Sequence, residues 1–122
     1  MNATKFAYIT LILLLSTVLV NSFFIHRTTK IFADSAKSIS TDNCEDAGNE
    51  FTELFERFRK AQKFINLTVS HDDLTNIEES FAEIIGAAEA NDLEGIITAK
   101  SRLVDSLEHL GRLSGINLDS IL

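Results

Sequence analysis

Apolar and polar positions divide the chain into two unlike parts. Phe6 to Ile25 reads FAYITLILLLSTVLVNSFFI, twenty residues without a charge. A helix of that length spans about 30 Å at about 1.5 Å per residue, the thickness of bilayer hydrocarbon. Beyond it the apolar residues recur every three or four positions, the period of half-buried helices. Phe51, Leu54, Phe55, Phe58, Ala61 and Ile65, with Phe64 adjoining, predict one helix over roughly 45–66. Leu74, Ile77, Phe81, Ile84, Ile85 and Ala88 predict a second, opened by Ser70 and Asp73 at near capping-box spacing. Leu93, Ile96, Ile97, Leu103, Val104, Leu107, Leu110 and Leu113 carry a third, with Asn91 and Glu94 as its capping box and Gly115 as its stop.

The expected fold is therefore all-α. An N-terminal transmembrane helix precedes a small antiparallel three-helix bundle, or a four-helix bundle if the intervening stem joins it. The divisions are an anchor over 1–25, a stem over 26–49 and an acidic bundle over 50–122. Ile31, Phe32, Ala36 and Ile39 keep a ragged helical spacing in the stem. Ser38 to Asn43 then carries break and cap chemistry. Gly86 with Ala90, and Gly95 with Ala99, put small residues on both sides of the Asn91-Asp92 turn, where close backbone approach would offset the cost of a mid-helix glycine.

The flanks of the apolar run favour an anchor. Lys5 precedes it, and His26, Arg27 and Lys30 follow. Its length exceeds the roughly 7–15 residues usual in a cleaved signal peptide. Counting bases on the two sides slightly favours a C-terminal part inside the cell, whereas a five-residue head before an apolar run is the pattern of a signal anchor that exports the remainder of its chain. The expectation is a single-pass protein of the cell membrane with an extracytoplasmic domain. Thr10, Leu14, Thr17 and Asn21 lie at heptad-like spacing and form the candidate seam toward another transmembrane helix. Against a seam, threonine hydroxyls in such helices bond their own backbone one turn back.

Charge sharpens the division. The chain has 11 Lys and Arg against 18 Asp and Glu, and every acid follows residue 33. That balance disfavours nucleic acid, which needs a dense basic face. The acids come early and the bases late in the helix at 45–66, giving expected pairs Glu53–Arg57 and Glu56–Lys60. The run RFRKAQK reads as a solvated helix end rather than a lipid or nucleic-acid patch. No Lys or Arg occurs from 64 to 99, where eight acids do, so an antiparallel neighbour bringing late bases is expected there.

Chemistry is sparse. There is no glycine-rich phosphate loop, CxxC or HExxH, and GRLSG at 111–115 reads as a helix stop. His71, Asp72 and Asp73 with Glu78 or Glu79 lack metal-ligand spacing, and Glu79 with Glu83 reads as a solvated pair. His109 has no companion nucleophile or base. No catalytic residue, cofactor site or metal site is expected. The single cysteine, Cys44, excludes an intramolecular disulfide; it is a candidate for joining two chains if the stem lies outside the cell. Asn66-Leu67-Thr68 is a three-letter glycosylation match.

The opening KFAYITLILLLSTVLVNSFFIHRTTK, the stretch HDDLTNIEESFAEI and the closing AKSRLVDSLEHLGRLSGINLDSIL resemble a family of short single-pass membrane proteins of Gram-positive bacteria. It is a domain-of-unknown-function family, and the likeness spans nearly the whole chain. The resemblance implies an N-terminal anchor followed by a helical domain and carries no activity. The function expected is a non-enzymatic, membrane-anchored interaction or assembly module. Its partners would be the lipid bilayer and either itself or another membrane protein. The alternative is a small-molecule-sensing or ligand-binding bundle within a membrane complex.

Overall fold

The computed structural model describes the backbone of residues 2–65 and 71–121, with side chains for 2–64 and 71–113. Four helices follow in order: α1 (Ala3–Ser38), α2 (Cys44–Ile65), α3 (His71–Glu89) and α4 (Leu93–Ile121). The described residues contain no strand. The helices run up, down, up and down, so that α1 packs on α2 and α4, while α3 packs on α2 and α4. The stem is thus the fourth member, supplied by the second half of α1. That helix passes residue 25 without a break and runs for 36 residues, about 54 Å.

Caps explain the boundaries. The Asn2 side chain accepts from the Thr4 amide at 2.9 Å. Asn43 accepts from the amides of Glu45 and Asp46 at 2.9 and 3.1 Å, so α2 opens where the Ser-Thr-Asp-Asn run allows a turn. At the far end of α1, the Lys100 ammonium donates to the carbonyls of Lys37 (3.1 Å) and Ile39 (2.7 Å). A base from α4 thus satisfies carbonyl groups at and just past the end of α1.

The turn at 91–92 differs from the expected box. Asn91 adopts a positive φ of 56°. Its amide bonds to the Ala88 carbonyl, and the Asp92 amide bonds to that of Ala87, the paired closure of a left-handed helix end. Asn91 therefore closes α3, and Asp92 caps α4 by accepting from the Gly95 amide at 3.0 Å. Gly115 is not a stop either. No described glycine has positive φ, and α4 continues to Ile121. The Ser70 cap and the Asn66-Leu67-Thr68 match lie outside the described residues.

The core follows the stripes. Ile25, Phe32, Ala33 and Ala36 of α1 meet Ala47, Phe51, Leu54 and Phe58 of α2. Leu74, Ile77, Phe81 and Ile84 of α3 and Ile96, Ala99, Leu103, Leu107 and Leu110 of α4 complete it. Phenylalanines join three helices. Phe32 meets Phe58 edge-on at 5.4 Å, Phe58 meets Phe81 at 5.7 Å, and Phe55 stacks on Phe81 at 4.7 Å. Leu93, Ile97 and Leu113, expected on the inner face, are exposed instead, as is Phe64 beside its stripe. Their stripes are wider than the face a two-layer bundle can cover. Gly95 has close neighbours, an added Cβ standing 3.1 Å from that of Ala87, but Gly86 faces open space. The expected close approach holds on the α4 side alone.

Candidate functional site

Three surfaces stand out among the described residues. The first is the N-terminal half of α1. From Phe6 to Phe24 its large apolar side chains are exposed in nearly every direction; Leu13 is 62% exposed. This is the one helix, among the described residues, long and apolar enough to cross a membrane. Thr10 donates to the Phe6 carbonyl at 2.9 Å and Thr17 to that of Leu13 at 2.8 Å. Both hydroxyls are therefore satisfied within their own helix. Thr10, Leu14 and Thr17 are exposed, and Asn21 is half-buried. Thr17 and Asn21 line a shallow apolar groove with Leu13, Val20, Phe24 and Phe64, the last reaching over from the end of α2. Phe64 is 68% exposed.

The second surface is a groove of about 230 Å³ between α1 and α4. Its floor is a close helix crossing. The Thr29 hydroxyl is buried and donates to the carbonyls of Ile25 (2.9 Å) and His26 (3.0 Å). A Cβ on Gly111 would stand 2.9 Å from that hydroxyl oxygen, so only glycine allows this approach. His26 Nδ1 lies 2.8 Å from the Gly111 carbonyl, which can only accept, so Nδ1 carries a proton. The rim holds Lys30, Asp34, Lys37, Glu108 and Arg112. Lys37 pairs with Glu108, which raises the lysine pKa and lowers that of the carboxyl. Hydrogen bonding between them is the larger cause, ahead of their charge attraction. Arg112 stands 3.9 Å from the same carboxylate. Three of the five rim charges, Lys37, Glu108 and Arg112, are thus linked through one carboxylate.

The third is the tip farthest from the N-terminal half of α1. There Asp42, Asp46 and Glu50 gather beside Ser40, Asn43 and Asn49. Among the described residues no three His, Cys, Asp or Glu side chains form a group able to hold a metal. Cys44 opens α2 at this tip, half-buried and packed against the core. His71 opens α3 and His109 lies on α4, both exposed.

The charges pair otherwise than expected. Neither Glu53–Arg57 nor Glu56–Lys60 forms; the ion pairs among the described residues are Lys37–Glu108, Arg102–Glu83 and Arg112–Glu108. Of the acids of α3, Glu83 is met from α4 by Arg102 at 2.9 Å, and Glu78 accepts from Gln62 of α2. Arg59 lies over the Phe55 ring at 4.3 Å. The Thr29–Gly111 crossing and the Lys100 cap carry no sequence signal until the stem is known to lie beside α4. Phe64 does carry one, as an aromatic just off its own stripe.

These features define an all-α chain in which one long helix presents a bare apolar half and lends its other half to a four-helix bundle. The chain belongs to the family described as Domain of unknown function (DUF4363), which matches residues 19–121. No curated protein and no solved structure matches it.

Proposed function

We propose that this protein is a non-enzymatic, membrane-anchored assembly module, with α1 crossing the bilayer and its own second half built into the domain. One observation carries the reading. The buried positions of α1 begin at Ser22 and Ile25, the last turn of its uncharged run, and continue to Ala36 in the same unbroken helix. The bundle is thereby held rigidly against the end of the span rather than on a flexible tether. A soluble chain exposing so large an apolar surface would aggregate, so a lipid setting is the physical explanation of the bare half. The resemblance to short single-pass proteins of Gram-positive bacteria supports the same setting. In this reading the bundle lies outside the cell and serves as a platform for a second copy or another membrane protein.

The test uses the full chain in cell membranes. Alkaline washing should leave it in the pellet, and external protease should remove the bundle from intact cells. Crosslinking in the membrane should then trap a discrete assembly. Release by alkaline washing overturns the anchor, and a strictly monomeric crosslinking pattern overturns the assembly role.

A further inference from the structure

We infer that the C-terminal end of α2 docks on an anionic bilayer surface, with Phe64 inserted at the interface and Arg57, Lys60 and Lys63 around it. This rests on the reading of α1 as a span. Phe64 shares its groove with Leu13, Ser16, Thr17, Val20, Asn21 and Phe24 of α1, all within the uncharged run that ends at Ile25. At about 1.5 Å per residue those positions lie about 2–18 Å inside the level of Ile25, so Phe64 stands beside the run and not beyond its end. A side chain at that depth beside a bilayer-crossing helix meets lipid. It is apolar, aromatic and 68% exposed, as suits a ring at the interface.

The charge around it is complementary to anionic headgroups. Arg57, Lys60 and Phe64 follow one another at helical spacing along one flank of α2, and Lys63 adjoins them. All three bases are exposed, and none makes an ion pair among the described residues. On α1, Arg27 and Lys30 follow the apolar run within five residues. The acids at the level of these bases are Glu56 on α2 and Asp72, Asp73, Glu78 and Glu79 on α3, of which Glu78 accepts from Gln62; α3 stands diagonally across the bundle from α1, so four of the five face away from the span. The opposite tip carries Asp42, Asp46, Glu50, Glu89, Asp92 and Glu94. Such a dipole orients a tethered bundle with its basic end toward negative lipid. The RFRKAQK run thus changes meaning once its position is known. In isolation it is a solvated helix end; beside a span it is a row of bases at headgroup height.

The chain has no tryptophan, so single Trp substitutions report depth without background. The full chain is placed in phosphatidylcholine–phosphatidylglycerol nanodiscs whose acyl chains are brominated. Leu14→Trp marks the span, Phe64→Trp the docking point and Ile97→Trp the far tip. The first two should lose emission to bromine quenching, and the third should keep it. The Lys60→Glu, Lys63→Glu double variant, both sites exposed, should restore much of the Phe64→Trp emission, as should pure phosphatidylcholine discs. Quenching at Leu14→Trp without quenching at Phe64→Trp overturns the docking and leaves the anchor standing. Absence of quenching at Leu14→Trp overturns the anchor itself. Quenching at Phe64→Trp that ignores both charge reversal and lipid charge overturns the role given to the bases.

Discussion

The two halves of α1 share one backbone and obey different rules. From Ser22 onward, burial keeps strictly to one face: Ser22, Ile25, Thr29, Phe32, Ala33 and Ala36 turn inward, while Arg27, Lys30 and Asp34 turn out. Before Ser22 there is no inner face, and leucines point in every direction. Helicity is therefore indifferent to its surroundings, whereas the side-chain pattern records them closely. A one-sided stripe implies water on the far side, and an all-round apolar surface implies none. The largest expected effect exploits this. Phe32→Ala removes the ring that meets Phe58 edge-on and should cost the bundle about 3–5 kcal/mol. A bundle this small has little stability to spare, so the thermal transition of the full chain in nanodiscs should drop sharply or vanish. Leu11→Ala, of similar chemistry in the bare half, should leave the midpoint where it was. Equal losses from both variants would break the comparison.

The converse substitution tests the bare half. Leu14→Arg places a charge near the middle of the uncharged run and should weaken membrane integration by about 2.5–3.5 kcal/mol. Alkaline extraction of membranes should then release a substantial fraction of the protein. Ile97→Arg, at an exposed apolar site on the bundle, should release none. Identical extraction of the two variants would mean that the bare half is not read by lipid as a span.

Much of this architecture is legible in the amino-acid sequence alone. The period of the apolar residues specifies three helices, and Asn-rich breaks locate their ends, because both effects are local. The uncharged run is legible for the same reason. The features that escape depend on neighbours that are distant in the chain. Asn91 and Asp92 are both good caps, and only the positive φ at Asn91 assigns one to closing α3 and the other to opening α4. Arg102 rather than a base of α2 meets Glu83, a choice between two neighbours of α3 that only the packed structure makes. Of the candidate seam, Thr10 and Thr17 are readable as self-satisfied, and they are. The groove under Phe64 is not readable, because it requires α2 to return alongside α1.

A finer test contrasts two glycines of the water-exposed bundle. Gly111→Ala drives a methyl against the Thr29 oxygen, which is buried and bonded to its own backbone, so it has nowhere to move. Despite the better helix propensity of alanine, the change should cost about 1–2 kcal/mol. Gly86→Ala meets nothing within 4 Å and should gain about 0.5–1 kcal/mol. Opposite shifts of the thermal midpoint would place the tight crossing between α1 and α4, next to the end of the uncharged run, rather than at the 91–92 turn.

The smallest effect belongs to Lys37 and Glu108, the ion pair that fastens the packed half of α1 to α4. The carboxyl is held below its usual pKa, so its contribution is full above the unfolded value of about 4.3 and fades as pH falls through the folded one. The lysine is held above its usual pKa, so its contribution is full below about 10.4 and fades as pH rises through the folded value. Between those limits the pair should make stability flat in pH. Both groups are open to water, which screens the attraction and keeps the effect small. Glu108→Gln and Lys37→Met should each flatten both limbs of the folding transition, since each removes one titrating group and the partner that shifts the other. Raising salt should weaken the pair in the parent protein and leave both variants little changed. An unaltered acid limb in Glu108→Gln would mean that the seam between α1 and α4 is held by the Thr29–Gly111 contact and the leucine face alone.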